Sequence, residues 1–283
     1  MKLGLSSYSL SRAIQAGEMT ILEAISWVKE HGGEHIEIVP FSFEMDQSLF
    51  EQIRNQAEQV GIELSNYAIG ANFAVDDDEA YENEISRVMK EVENAAELGV
   101  KLMRHDVASR GDISMSNFLA DLPKLAEACR RIADHAAQYG ITTSVENHGY
   151  YIQASDRVQA LVHAVDRPNF RTTLDIGNFM CADEESVAAT KKNLPIASMM
   201  HIKDFYLRPA NENPGRGWFP TMAGNYLRGA IAGQGDINMR EVLRAVKESG
   251  YDGYLSIEFE GMEDCRLGSE IGLENVRRIW DEV

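Results

Sequence analysis

Cysteine, basic charge and long apolar runs are scarce in this 283-residue sequence, and each scarcity removes a class of function. The three cysteines, Cys129, Cys181 and Cys265, are far apart and form no CxxC pair, so neither a disulfide framework nor a thiolate metal site is indicated, and a reducing compartment fits. Only 27 Lys and Arg oppose 45 Asp and Glu, a formal charge of -18 that repels phosphate backbones and anionic membrane faces; no nucleic acid and no membrane partner is expected. No stretch approaches the roughly 18 apolar residues of a membrane span, and serines interrupt the opening MKLGLSSYSLSR. A cytoplasmic, unprocessed protein is the expectation. No GxGxxG follows the first β-rich run, so the usual mark of a dinucleotide-binding open sheet is missing.

What is present is a regular alternation of short β-rich runs with stretches of helical periodicity, the pattern of parallel βα units. Strands are predicted at 2–7, 35–40, 62–69, 100–107, 141–149, 170–178, 196–204 and 254–261. Helices are predicted at about 20–31, 48–60, 79–98, 115–139, 155–165, from Asp183, at 238–249 and at 266–281. Thr20 and Glu23 have capping-box spacing, and glycines at 61, 99 and 140 stop their helices. Eight units close a (β/α)8 TIM barrel, and no linker or composition break divides residues 1–283, so a single domain is expected. The one irregular segment is 205–237, read as a long functional loop in which Trp218, Phe219 and Tyr226 are placed to cover a pocket.

In a barrel the chemistry belongs at the C-terminal ends of the strands. Those ends carry Glu37, His105 and Asp106, Glu146 and His148, Asp175 and Asn178, His201 with Lys203 and Asp204, then Glu258 and Glu260. Carboxylates converging on one barrel mouth need a positive charge to hold them together, and a divalent cation supplies it. Glu146, Asp175, His201 and Glu258 come from four consecutive strands and offer three carboxylates and one imidazole, a set suited to one Mn2+ ion, with Mg2+ or Co2+ as alternatives.

The stretches VENHG, LDIGN, HIKD and GQGDINMREVLRAVKESGYDGYLSIEFE resemble the xylose-isomerase-like barrels of the sugar isomerase and epimerase superfamily, and the resemblance covers essentially the whole chain. It implies that Glu146, Asp175, His201 and Glu258 bind one divalent metal and that Glu146 and Glu258 also serve as acid and base. The implied chemistry removes a proton next to a carbonyl and returns it, giving a metal-dependent sugar isomerase or epimerase acting through an enediolate. A small sugar or keto-sugar is the implied substrate, and the family's habit of forming dimers or tetramers implies a homo-oligomer, with a second subunit type possible on the lyase branch.

His148 shares a strand face with Glu146 and is a third catalytic candidate. Asn147 and His148 stand where the ketohexose epimerases of the family carry EPxN, which raises a dehydratase or lyase on a keto-sugar or 3-keto-glycoside as the alternative. Glu37, His105, Asn178, Lys203 and Arg208 are candidate substrate contacts, although Lys203 is equally able to pair with Asp204, Glu258 or Glu260. No Gly-rich phosphate cradle accompanies them. Phosphodiester hydrolysis asks for more histidines than the seven present and for a basic groove, and a barrel that binds a sugar without turnover is the remaining class.

Overall fold

Apolar residues at alternate strand positions and at helical spacing between them dictate a sheet wrapped by helices, and the chain closes accordingly. In the computed structural model, which describes residues 1–283, eight parallel strands form a closed barrel. They are β1 (Lys2–Ser6), β2 (His35–Ile38), β3 (Glu63–Ile69), β4 (Leu102–His105), β5 (Thr142–Glu146), β6 (Phe170–Asp175), β7 (Ala197–Ile202) and, last in the chain, β11 (Tyr254–Ile257). β1 pairs with both β2 and β11, which leaves no free edge.

Most of the intervening helices are amphipathic and begin where a side chain can take an orphan backbone N–H. Helix α1 is a short turn at Ser11–Gln15 that the sequence reading does not foresee, and α2 (Ile21–Glu30) starts on the complete Thr20–Glu23 capping box. Asp46, Asp77 and Ser114 cap α3 (Gln47–Val60), α4 (Asp78–Leu98) and α5 (Met115–Ala137). The set continues with α6 (Ser155–Val165), α7 (Ser186–Asn193), α8 (Met239–Glu248) and α9 (Cys265–Glu282). Gly61 and Gly99 end α3 and α4 at φ +69° and +85°, where a side chain would be strained.

One cluster of 63 buried apolar residues fills the layer between strands and helices. Outward-facing Leu3, Leu5, Ile36, Ile38, Met103 and Leu255 belong to it, so the alternate inward positions are left to polar groups such as His35, Glu37, Arg104, Ser144, Asp175 and His201. The register sets Asp175 beside His201 and His201 beside Ser256.

The segment 205–237 corrects the expectation of a long loop. It carries β8 (Asp204–Arg208), β9 (Phe219–Pro220) and β10 (Tyr226–Ala230), a three-stranded antiparallel sheet in the order β8-β10-β9. Its alternating aromatics pack within that sheet, Phe219 edge-on to Phe205 at 5.7 Å and Trp218 under the guanidinium groups of Arg208 and Arg228. No helix of the chain is long and apolar enough to cross a membrane.

Candidate metal centre and cavity

Four strand ends converge at the barrel mouth: Glu146 closes β5, Asp175 closes β6, His201 is the penultimate residue of β7, and Glu258 follows β11. One ligand atom from each lies within 4.8 Å of all the others, and all four residues are buried. The nearest approaches to His201 Nδ1 are Glu146 Oε1 at 3.5 Å, Glu258 Oε1 at 3.7 Å and Asp175 Oδ2 at 3.9 Å. Buried polar atoms are ordinarily hydrogen-bonded, yet Glu146 Oε2, Asp175 Oδ2 and His201 Nδ1 make no hydrogen bond at all. Carboxylate and imidazole atoms left without hydrogen bonds in so tight a cluster fit a single divalent cation.

The surroundings aim these atoms. Backbone N–H groups of Gly177 and Asn178 donate to Asp175 Oδ1 at 2.8 and 2.9 Å, leaving Oδ2 to face His201 and Lys203, and Asn147 exchanges two hydrogen bonds of 2.8 Å with the Asp175 backbone. Asn178 Nδ2 donates to Glu146 Oε1 at 3.1 Å. On the far side of the imidazole, Glu37 Oε2 lies 2.9 Å from His201 Nε2, and Asn66 in turn donates to Glu37 Oε1 at 2.6 Å. Such outer contacts set the tautomer and direction of a metal-binding histidine.

Two buried cations offset part of the negative charge. Arg104 Nε stands 2.9 Å from Glu146 Oε2, close enough for an ion pair though not aligned as a hydrogen bond, and its Nη1 donates to Asp106 at 3.1 Å. Lys203 Nζ lies 2.6 Å from Glu258 Oε2, 3.2 Å from Asp175 Oδ2 and 3.5 Å from Glu260. Burial works against the charged forms here, but the neighbours decide most of them. Arg104 and His201 outweigh burial and hold Glu146 well below the usual carboxylate range, while Glu37, Glu258 and Glu146 hold His201 well above its ordinary value. Asp175 is the exception, since burial, only partly offset by Lys203, pushes it up to about 6.

The centre opens into a cavity of about 760 Å3 whose inner end is lined by Arg104, Asp106, Glu146, His148, Lys203 and Glu258, with Tyr8 and Glu260 beside them. His148 is half exposed there, 3.7 Å from Asp106, which favours its protonated form.

Several predicted contacts land elsewhere. His105 does not line the cavity: strand alternation turns it outward, packed against Phe73 and Phe170, and the adjacent Arg104 and Asp106 face inward instead. Arg208 stacks on Trp218 in the outer sheet, 3.6 Å from Asp236, and is likewise outside the cavity lining, as are Trp218, Phe219 and Tyr226. Glu37 sits behind His201, and Asn178 behind Glu146 and Lys203. Sequence reasoning missed Arg104 and Tyr8; the β-alternation from His105 was the signal for Arg104, and Tyr8, beyond the end of β1, had none.

Residues 25–279 match the model of the xylose isomerase-like TIM barrel family, and the chain belongs to that family. An uncharacterised protein of Methanocaldococcus jannaschii is 28% identical over 174 residues, which are 59% of this chain and 54% of the relative. An inosose dehydratase of Lacticaseibacillus casei is 24% identical over 140 residues, 48% of this chain and 46% of the relative. The chain thus spans about half the length of these curated relatives. A crystal structure of a D-tagatose 3-epimerase-like protein superposes with a TM-score of 0.74 at 21% identity, over 100% of this chain and 99% of that one, which is a likeness of fold.

Proposed function

We propose that the protein is a divalent-metal-dependent isomerase or epimerase of a sugar, working by proton transfer at a carbon next to a carbonyl. The observation that carries this reading is the presence of Glu146 and Glu258 in one 4.8 Å cluster with Asp175 and His201, at the base of an open cavity. Mn2+ is the proposed ion, with Mg2+ or Co2+ as alternatives. When bound, it supplies the positive charge that stabilises negative charge developing on two substrate oxygens.

The residues of the chain do the rest. Glu146 and Glu258, on strands five and eight of the barrel, take the proton from carbon and return it, to the neighbouring carbon in isomerisation or to the opposite face in epimerisation. Arg104 and Lys203 pair with these two carboxylates and hold them oriented until substrate arrives. Solvent-exchange mass spectrometry tests the reading: in D2O, the metal-loaded protein is expected to add one deuterium to a keto-sugar such as D-fructose or D-tagatose, and a Glu146→Gln, Glu258→Gln double variant is not.

Elimination from a keto-sugar is the second reading. In that reading His148, half exposed in the cavity and 3.7 Å from Asp106, protonates a departing hydroxyl, and the partial similarity to inosose dehydratases supports it.

A further inference from the structure

The cavity has a second half that the proton-transfer site does not use. Its outer wall is the segment between β2 and α3, where Val39, Pro40, Phe41, Phe43 and Met45 line the space, with Glu44 the one charged residue among them. Phe43 and Met45 are anchored on the main apolar core behind them, and Phe41 meets the edge of Tyr8 at 5.1 Å. Tyr8 also borders Glu258 and Glu260, so the apolar wall begins next to the metal end.

Volume separates the two halves. At roughly 30 Å3 per non-hydrogen atom, the share of a water molecule in the liquid, a hexose of about twelve such atoms takes at most about 360 Å3. The cavity measures about 760 Å3, so a free hexose chelated at the cluster leaves the apolar half filled only with water.

Charge restricts what else is admitted. The lining carries six carboxylates against three fixed cations, so it stays net negative even with a divalent ion bound. Each cation is already committed: Arg104 to Glu146, Lys203 to Glu258, and Arg87, at the outer end, to Glu84 at 2.8 Å and the Gly70 carbonyl at 2.7 Å. Nothing remains to neutralise a phosphate dianion.

We infer that the substrate is a neutral, unphosphorylated sugar bearing an apolar, ring-sized substituent, with the sugar at the metal end and the substituent against the Val39–Met45 wall. The inference rests on the sugar-proton-transfer reading above and narrows its substrate class to glycoside-like molecules. Burial of a phenyl-sized group against this wall raises affinity by at least about tenfold.

Isothermal titration of the Mn2+-loaded protein tests this with methyl β-D-glucopyranoside, phenyl β-D-glucopyranoside, glucose and glucose 6-phosphate; the two glycosides are locked acetals with no carbonyl to react. The phenyl glycoside is expected to bind at least about tenfold more tightly than the methyl glycoside, and glucose 6-phosphate more weakly than glucose. In a Phe41→Ala, Phe43→Ala variant the phenyl-to-methyl ratio is expected to fall toward one; Phe41→Ala alone, at a side chain 60% exposed, serves if the double variant does not fold. Equal affinity of the two glycosides, tighter binding of glucose 6-phosphate, or no binding of either glycoside overturns the inference. Deuterium exchange into D-fructose under the same loading, if still observed, leaves the proton-transfer reading standing while the substrate inference falls.

Discussion

Glu37 and His201 meet across the barrel interior at 2.9 Å, carboxylate Oε2 to imidazole Nε2, and this contact leaves His201 Nδ1 facing the three carboxylates without a hydrogen bond. With Nε2 donating to Glu37, Nδ1 is the nitrogen left for a cation, which displaces the Nδ1 proton on binding. Glu37→Gln keeps the shape and removes the charge that fixes this tautomer. Mn2+ affinity measured by calorimetry is expected to fall about 10- to 100-fold while far-ultraviolet dichroism stays unchanged.

His148 separates the two proposed reactions. Its ring is half exposed and touches Asp106, and no hydrogen bond ties it to the metal-binding residues. His148→Asn is expected to reduce elimination from a keto-cyclitol such as an inosose by about 100-fold or more, and deuterium exchange into a keto-sugar by less than about tenfold. Equal losses in both assays would contradict a role confined to elimination.

Gly177 is required by crowding, not by backbone angle, because its φ is -79° while an added Cβ would lie 2.9 Å from both Lys203 Cβ and the Lys203 carbonyl oxygen. Gly177→Ala is expected to cost about 1 to 3 kcal/mol in urea denaturation. It should also weaken metal binding, since Lys203 contacts both Asp175 and Glu258.

Two other histidines give the fold a pH dependence of their own. His35 is sealed at the base of the barrel between Ser65 and the Leu255 carbonyl, and His105 lies in the apolar layer; burial lowers each to about 4. The unfolded chain binds these protons near pH 6.5 and the folded chain does not, so the stabilisation is complete above that pH and is lost as pH falls toward 4. Urea midpoints should therefore decline between pH 6.5 and 4, each imidazole contributing at most about 1.4 kcal/mol per pH unit. Histidine NMR signals for these two rings should show no titration above pH 5.

The four cluster residues were legible because each is a ligand-type residue at or just past the end of a β-rich run, a local signal repeated in four successive units. The contact that orients His201 was not, since Glu37 is 164 residues away and meets it only when the barrel closes. His105 was misplaced for a simpler reason. A one-residue shift in a strand exchanges the two faces, and the sequence MRHD offers polar side chains on both. Arg208 is a candidate substrate contact by its likeness to Lys203, but β8 leaves the barrel at Asp204 and carries Arg208 into the outer sheet.

The sequence by itself determined the eight βα units and the ligand-type residues at their ends, because periodicity, caps and strand-end polarity act over a few residues at a time. Only the tertiary structure decided which cations are spent on which carboxylates, where the apolar wall from Val39 to Met45 stands relative to the cluster, and which face of each strand the site uses. Those are consequences of closure, which brings distant residues into one low-dielectric space where pairing and volume, not spacing along the chain, set the chemistry.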